Sequence, residues 1–204
     1  MTGKRLLGRL IALAILALFL VWIFPKLKNL VRIVGLYREP PPVSLPVPVQ
    51  GIDRVQLTDT WGGPRSGGRH HEGIDIFARR GTPVIASTHG VIVRKGLNLL
   101  GGRVVGVLGP AGWYHYYAHL DEWSTLGIGD WVEVGMVLGY VGDSGNAKGT
   151  PTHLHYGIYV DGQARNPYPL LNPLPPTTPR LAPGTSGSHR PRRVARHRSA
   201  AASR

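Results

Sequence analysis

The first hydrophobic pattern along the chain is an unbroken apolar run, LIALAILALFLVWIF, from Leu10 to Phe24. Spanning a bilayer takes roughly 20 apolar residues, and Leu6 and Leu7 extend the run toward that length. The sequence that follows, PKLKNLVRIV, offers no small-residue site of the kind at which a secretory signal is cleaved. We therefore predict an uncleaved signal anchor, one transmembrane helix with its juxtamembrane segment over residues 1–38, in preference to a cleaved signal.

The pattern then changes twice. Residues 39–50, EPPPVSLPVPVQ, predict a Pro-rich linker in extended polyproline-like form, a semi-rigid spacer between anchor and domain. From residue 51 to about 172, β-rich runs such as TPVIAS, GVIVRK and HLHYGIYV alternate with turns such as WGGPRSGG and GDSGNAKGTP. Short strands at this regular spacing predict an all-β fold, a small antiparallel β-sandwich or barrel-like domain over residues 51–172.

Charge and composition narrow the function. The formal net charge is +13, but residues 1–38 and 173–204 each carry seven basic residues and no acid. Subtracting these 14 from 24 leaves ten basic residues in the middle, against all 11 acids. The near-neutral domain argues against specific nucleic-acid binding. The Pro-, Ser- and Arg-rich tail over residues 173–204 is predicted to be disordered, either simply solvated or attracted to anionic envelope polymers.

The chain contains no cysteine, so a metal would have to be held by histidines and carboxylates. The stretch HHEGIDIF, residues 70–77, lacks the second histidine four residues after the first that a helical His-Glu zinc motif requires. Its Gly and β-branched residues favour a strand instead. On a strand, His71, Gly73 and Asp75 share one face, with nothing bulky between the two candidate ligands. Glu72 would point to the other face.

Two further stretches carry histidines. In THLHYGIYV, His153 and His155 are two residues apart on a strand-like run, so both rings are predicted to project to one face. In WYHYYAHL, His119 follows an aromatic run. Zinc hydrolysis needs three protein ligands and further groups that move protons. His71, Asp75 and one histidine of the HLH pair can supply the ligands, and the other histidines the rest.

The order HHEGIDIFARRGTPVIASTHGVIV, then YYAHL, then VLGYVGDSGNAKGTPTHLHYGI resembles the lysostaphin-type (LytM-like) zinc metallopeptidase family over roughly residues 51–172. Members have a small antiparallel β domain with a groove, and most cut peptide cross-links in bacterial peptidoglycan. The resemblance implies one Zn²⁺ ion held by His71, Asp75 and His155, with His119 and His153 as the catalytic pair. Gly157 departs from the family, in which an acid is frequent at that position.

The resemblance therefore implies a peptidoglycan endopeptidase that acts on stem peptides through a zinc-activated water. Combined with the predicted N-terminal anchor, the resemblance suggests a single-pass protein of the bacterial inner membrane whose catalytic domain faces the periplasm or cell wall. The alternative is a catalytically silent or latent wall-binding module that activates a separate amidase. The complete set of five candidate residues favours the enzyme.

Overall fold

The computed structural model describes residues 2–173, an N-terminal helix followed by a β domain. Residues 174–204, all but the first residue of the predicted tail, lie outside the described range. Helix α1 spans Thr2–Arg38. The strands are β1 (Ile74–Phe77), β2 (Pro83–Ile85), β3 (Gly90–Asn98), β4 (Gly102–Leu108), β5 (Tyr114–Trp123), β6 (Trp131–Val132), β7 (Val137–Val141), β8 (His153–Val160) and β9 (Gln163–Arg165), and a short helix α2 follows at Tyr168–Leu171.

The strands form one antiparallel sheet, with the order β1-β8-β5-β4-β3-β6, and the predicted all-β antiparallel domain is confirmed. Strand β5 is the centre of this arrangement. Its Leu120 is paired with Arg103 of β4 on one edge and with Val141 of β7 on the other. Strands β8 and β7 pair with the same edge of β5: β8 with its first half and β7 with its second half. Strand β2 pairs with β7, and β9 with β8.

The period-2 alternation of β1 and β8 separates the core from the opposite face of these strands. Leu154, Tyr156 and Ile158 of β8 are fully buried, and so is Ile74 of β1. These side chains pack with others from the remaining strands into one hydrophobic cluster. The alternate positions of β8 carry His153 and His155, which therefore lie on the face away from the core.

The Pro-rich linker, predicted from the sequence as a semi-rigid spacer between anchor and domain, lies against the domain. The Leu45 amide donates to the Leu170 carbonyl at 2.8 Å, and Val49 forms a bridge with Val84 of β2. Leu45 and Val49 are 3% and 1% exposed and belong to the core cluster. The linker packs there because its apolar residues, which alternate with prolines, bury their side chains against the apolar surface of the domain.

Helix α1 has two different halves. Large apolar side chains from Leu7 to Phe24 are exposed, and the helix from Leu7 onward is long and apolar enough to cross a membrane, alone in this respect among residues 2–173. Pro25 lies inside the helix, between this half and a second half that carries several basic residues. The apolar half is thus a candidate membrane span or signal anchor.

The end of α1 packs on the β domain. Leu36 is fully buried, and the ring of Tyr37 lies so close to Gly112 that a side chain there would collide with it. Just beyond the helix, Oε2 of Glu39 lies 2.7 Å from Nε2 of His89. The helix is therefore fixed to the domain at this end by burial and by a polar contact.

Candidate metal centre and active site

The antiparallel register of β1 and β8 brings together residues that are about 80 positions apart. Asp75 lies directly opposite His155, and Phe77 lies opposite His153. Paired residues of an antiparallel sheet present their side chains on the same face. The strands therefore place Asp75 and both histidines of the HLH pair side by side, on the face turned away from the core.

His71 reaches the same place from a hairpin over residues 60–71, which we call the arginine hairpin because it carries Arg65 and Arg69. The Gly62 amide donates to the His71 carbonyl at 2.9 Å, and the His71 amide donates to Gly63 at 2.8 Å. These bonds hold His71 immediately before β1. The imidazole is 3% exposed.

Three ligand atoms converge. Nε2 of His71 lies 3.1 Å from Oδ1 of Asp75 and 2.8 Å from Nδ1 of His155, and the last two atoms are 3.3 Å apart. Zinc bonds of about 2.0–2.1 Å in a tetrahedron put neighbouring ligands about 3.3 Å apart. The triangle of two imidazole nitrogens and one carboxylate oxygen therefore fits a zinc ion, and these residues form a group that could hold a metal.

Neighbouring groups orient these ligands. Nδ1 of His71 donates to the carbonyl of Thr60 at 2.7 Å, so its Nε2 carries the lone pair that faces Asp75. The hydroxyl of Thr60 accepts from the Asp75 amide at 3.0 Å. On the other side, Nη2 of Arg65 donates to Oδ2 of Asp75 at 2.5 Å. The Asp75 carboxylate thus turns Oδ1 toward the two imidazoles and Oδ2 toward the guanidinium.

The protonation states also suit a metal. Burial opposes ionisation of Asp75, but its close contacts with His155 and His71 outweigh burial and hold the pKa of this carboxyl well below its usual range. Burial lowers the pKa of His155 and so favours its neutral form. A carboxylate and neutral imidazoles are the forms in which these residues bind metals.

His119 and His153 flank the three ligands. Nδ1 of His119 donates to the Ser144 carbonyl at 2.8 Å, and Nδ1 of His153 donates to the Pro151 carbonyl at 2.8 Å. Their ring centroids are 5.0 Å apart, and that of His119 is 5.8 Å from the ring of His155. With each Nδ1 carrying a proton, each Nε2 is left as a proton acceptor next to the candidate metal site.

An irregularity in β5 aims His119. Its φ angle is 62°, which is uncommon for a residue other than glycine, and its amide donates to the Gly101 carbonyl at 2.7 Å. Between the pairs Val105–Tyr117 and Arg103–Leu120, β5 has one more residue than β4. Such a bulge redirects a side chain. Burial lowers the pKa of His119 to about 4, so the imidazole is neutral near pH 7.

All five residues open into one groove of about 1250 Å³. The ring of Tyr116 stands edge-on to His155 with centroids 6.0 Å apart, and edge-on to Tyr159. Tyr37, at the end of α1, also lines the groove. The volume exceeds what a single amino acid needs, so the groove has room for several residues of a peptide.

The β domain is similar to known peptidases in sequence and in fold. Residues 69–167 match Peptidase family M23. The chain is 41% identical over 140 residues to the L-Ala–D-Glu endopeptidase of Bacillus subtilis, which covers 63% of this chain. It is 34% identical over 112 residues, 52% of this chain, to lysostaphin of Staphylococcus simulans. The structure of the lysostaphin catalytic domain superposes with a TM-score of 0.52 and 30% identity, covering 58% of this chain and 94% of that domain. The chain belongs to peptidase family M23.

The curated relatives are longer than the region shared with them. This M23 chain spans 42% of the length of the Bacillus subtilis protein and 22% of that of lysostaphin. The family match over residues 69–167 contains the whole of strands β1 to β9.

Sequence reasoning named five residues of the candidate site: His71, Asp75, His119, His153 and His155. It missed the residues that hold and orient them. The structure brings these five together. It adds Thr60 and Arg65, which hold two of the ligands, and Ser144, whose carbonyl orients His119. Thr60 and Arg65 lie in a Gly-rich turn that carries no signal of its own, because their partners are ten or more residues away.

Proposed function

We propose that the protein is a zinc metalloendopeptidase that hydrolyses peptide cross-links of bacterial peptidoglycan. The observation that carries the proposal is the convergence of His71, Asp75 and His155 beside a second pair of histidines in an open groove. The relatives support a peptide substrate, because they include an endopeptidase named for an L-Ala–D-Glu bond.

His71, Asp75 and His155 would hold the metal, and the donor set of two nitrogens and one carboxylate oxygen leaves room for a further ligand. When bound, zinc supplies a Lewis acid that polarises a carbonyl group and lowers the pKa of a bound water toward about 7. Arg65 and Thr60 keep Asp75 and His71 in place, so that substrate binding need not reorganise them.

His119 and His153 perform the proton transfers. The carbonyls of Ser144 and Pro151 fix the Nδ1–H tautomer of each, so one Nε2 can take the proton of the attacking water. The resulting imidazolium can stabilise the tetrahedral oxyanion or return the proton to the leaving amine. Such general acid–base catalysis typically contributes 10²–10⁴-fold to the rate.

We further propose that the apolar half of α1 anchors the protein in the bacterial inner membrane and that residues 51–172 form the peptidase domain outside the cytoplasm. An exposed apolar surface of this length is costly in water and stable in lipid. Residues 39–50 complete that domain's core through Leu45 and Val49. The fold therefore depends on chain that lies before residue 51.

The test is digestion of purified sacculi by the full chain in detergent, because a version cut after the linker would lose Leu45 and Val49 from the core. Zinc-loaded protein should release peptides from cross-linked dimers, detected by mass. Chelator and Asp75→Ala should each abolish the release. Glu122→Ala, an exposed carboxylate on β5, is the matched control and should leave it unchanged.

Two outcomes would contradict the proposal. Release that persists in Asp75→Ala would remove the carboxylate from the chemistry. A folded, zinc-loaded protein that releases nothing, yet stimulates an added amidase, would favour the wall-binding activator instead.

A further inference from the structure

The arginine hairpin carries two guanidinium groups into the groove. Its strands are held by a bridge between Pro64 and His70 and by the Arg65 amide, which donates to the Arg69 carbonyl at 2.9 Å. Gly67 turns the tip with a φ angle of 73°. Because Arg65 and Arg69 are paired across the hairpin, their side chains lie on the same side of it. Both line the groove that contains the candidate metal ligands.

The two arginines are differently engaged. Arg65 donates from Nη2 to Oδ2 of Asp75, while 39% of its side chain remains exposed. Arg69 donates from Nε to the Ser66 carbonyl at 3.2 Å, which orients its guanidinium. Among residues 2–173, Arg69 forms no ion pair with a carboxylate. Its two terminal nitrogens are therefore free to bind a ligand from the groove.

A zinc ion would leave this end of the groove with a positive excess. Asp75 and Glu72 line the groove beside Arg65 and Arg69 and balance the two guanidinium charges, so a zinc ion at the proposed site would add two positive charges that these two carboxylates do not offset. A guanidinium recognises a carboxylate through two parallel hydrogen bonds, and such charge-assisted bonds are about twice as strong as neutral ones. The neutral carbonyls of a peptide backbone would not balance this charge.

We propose that Arg69, with the exposed part of Arg65, forms a subsite for a free carboxylate of the peptide substrate, next to the bond that is cut. The subsite selects cross-links between acidic stem peptides over neutral bridges such as those made of glycine. This inference rests on the proposed function and specifies the substrate class of the same site.

The test uses two synthetic cross-linked stem peptides that differ only in whether their side-chain and α-carboxylates are free or amidated. The zinc-loaded full chain should cleave the free acid with a kcat/KM at least about 10-fold higher, the scale of one charged hydrogen bond. Arg69→Gln should reduce cleavage of the free acid to the level of the amide, and leave the amide unchanged. Arg79→Gln, an exposed arginine outside the groove, should change neither. Amidating one carboxylate at a time then identifies the group recognised.

Equal cleavage of the two peptides, or an equal loss on both in Arg69→Gln, would overturn the subsite and leave the proposed function intact. If neither peptide is cleaved, the subsite is tested by calorimetric binding of both peptides to zinc-loaded His153→Ala. A preference for the free acid that disappears in the double variant with Arg69→Gln supports the subsite without catalysis. Equal binding of both peptides refutes it.

Discussion

Gly73 is the position at which a single methyl group should damage the proposed metal site. A Cβ on Gly73 would lie 2.5 Å from the carbonyl oxygen of Tyr156, and 2.7 and 2.9 Å from Cε1 and Nε2 of His155. Carbon atoms in good contact are about 3.5 Å apart or more, so in Gly73→Ala the His155 ring must move by about 0.8 Å. The clash with the Tyr156 carbonyl involves backbone, so strands β1 and β8 must also separate there, and both movements displace His155, a proposed ligand.

A shift of this size exceeds the tolerance of about 0.2 Å expected for a metal ligand. Loss of a ligand's support typically weakens metal binding by about 10–100-fold, and we expect Gly73→Ala to weaken zinc binding at least that much. The measurement is competition for zinc between the full chain in detergent and a chromophoric chelator. Thermal unfolding without zinc then separates a loss of metal from a loss of fold.

Gly96→Ala is the matched control. Gly96 also lies in a strand, β3, and its Cβ would meet nothing within 4 Å. We expect this variant to bind zinc like the wild type. The reasoning would be refuted if Gly73→Ala bound zinc within about twofold of the Gly96→Ala value, since His155 could then not be a ligand held at this distance.

Three other predictions follow from burial and hydrogen bonding. Burial lowers the pKa of His115 from 6.5 to about 3. Between pH 7 and pH 5, His115 therefore becomes protonated in the unfolded chain but stays neutral in the folded chain. This difference should lower the free energy of unfolding by about 2 kcal/mol from pH 7 to pH 5. His115→Phe should flatten that slope in denaturant titrations. Leu45→Ala should cost about 2–5 kcal/mol in the same assay, whereas Val43→Ala, 89% exposed, should cost little. His119→Ala should lower kcat about 10²–10⁴-fold with zinc affinity unchanged, and a parallel loss of zinc would contradict its assignment.

The β-domain and much of its site could be predicted because they follow local rules. Regular turn signals indicated the strands, and the two-residue spacing of His153 and His155 placed both rings on one face. The sequence also indicated that no bulky side chain stands between the candidate ligands His71 and Asp75, because Gly73 lies between them on the same strand face. Each of these inferences depends on neighbours in sequence, which a single chain displays.

The direction of the His119 side chain could not be predicted from strand periodicity, although the family resemblance implied a catalytic role for it. His115 and Tyr117 are fully buried, and strict alternation along β5 would turn His119 to the same core face. The bulge before Leu120 reverses its direction and brings it into the groove. A bulge depends on the register against β4 and β7, which is a property of the folded sheet and leaves no mark in WYHYYAHL.

The packing of the linker on the domain could not be predicted for a similar reason. Its proline content correctly indicates an extended chain. Whether such a chain stands in solvent depends on a complementary apolar surface elsewhere, here the neighbourhood of Val84 and Leu170. That surface is assembled from distant segments.

The docking of α1 on the domain has a mechanical consequence. Leu36 and Tyr37 fix the helix end, and the linker lies flat on the domain, so the groove does not swing on a loose tether. With the apolar half in the bilayer, as proposed, residues 25–38 rise about 20 Å at 1.5 Å per residue. A peptidase anchored in this way would act at a set height above the membrane. Its reach into the wall would then be set by the length of this helical segment rather than by a flexible tether.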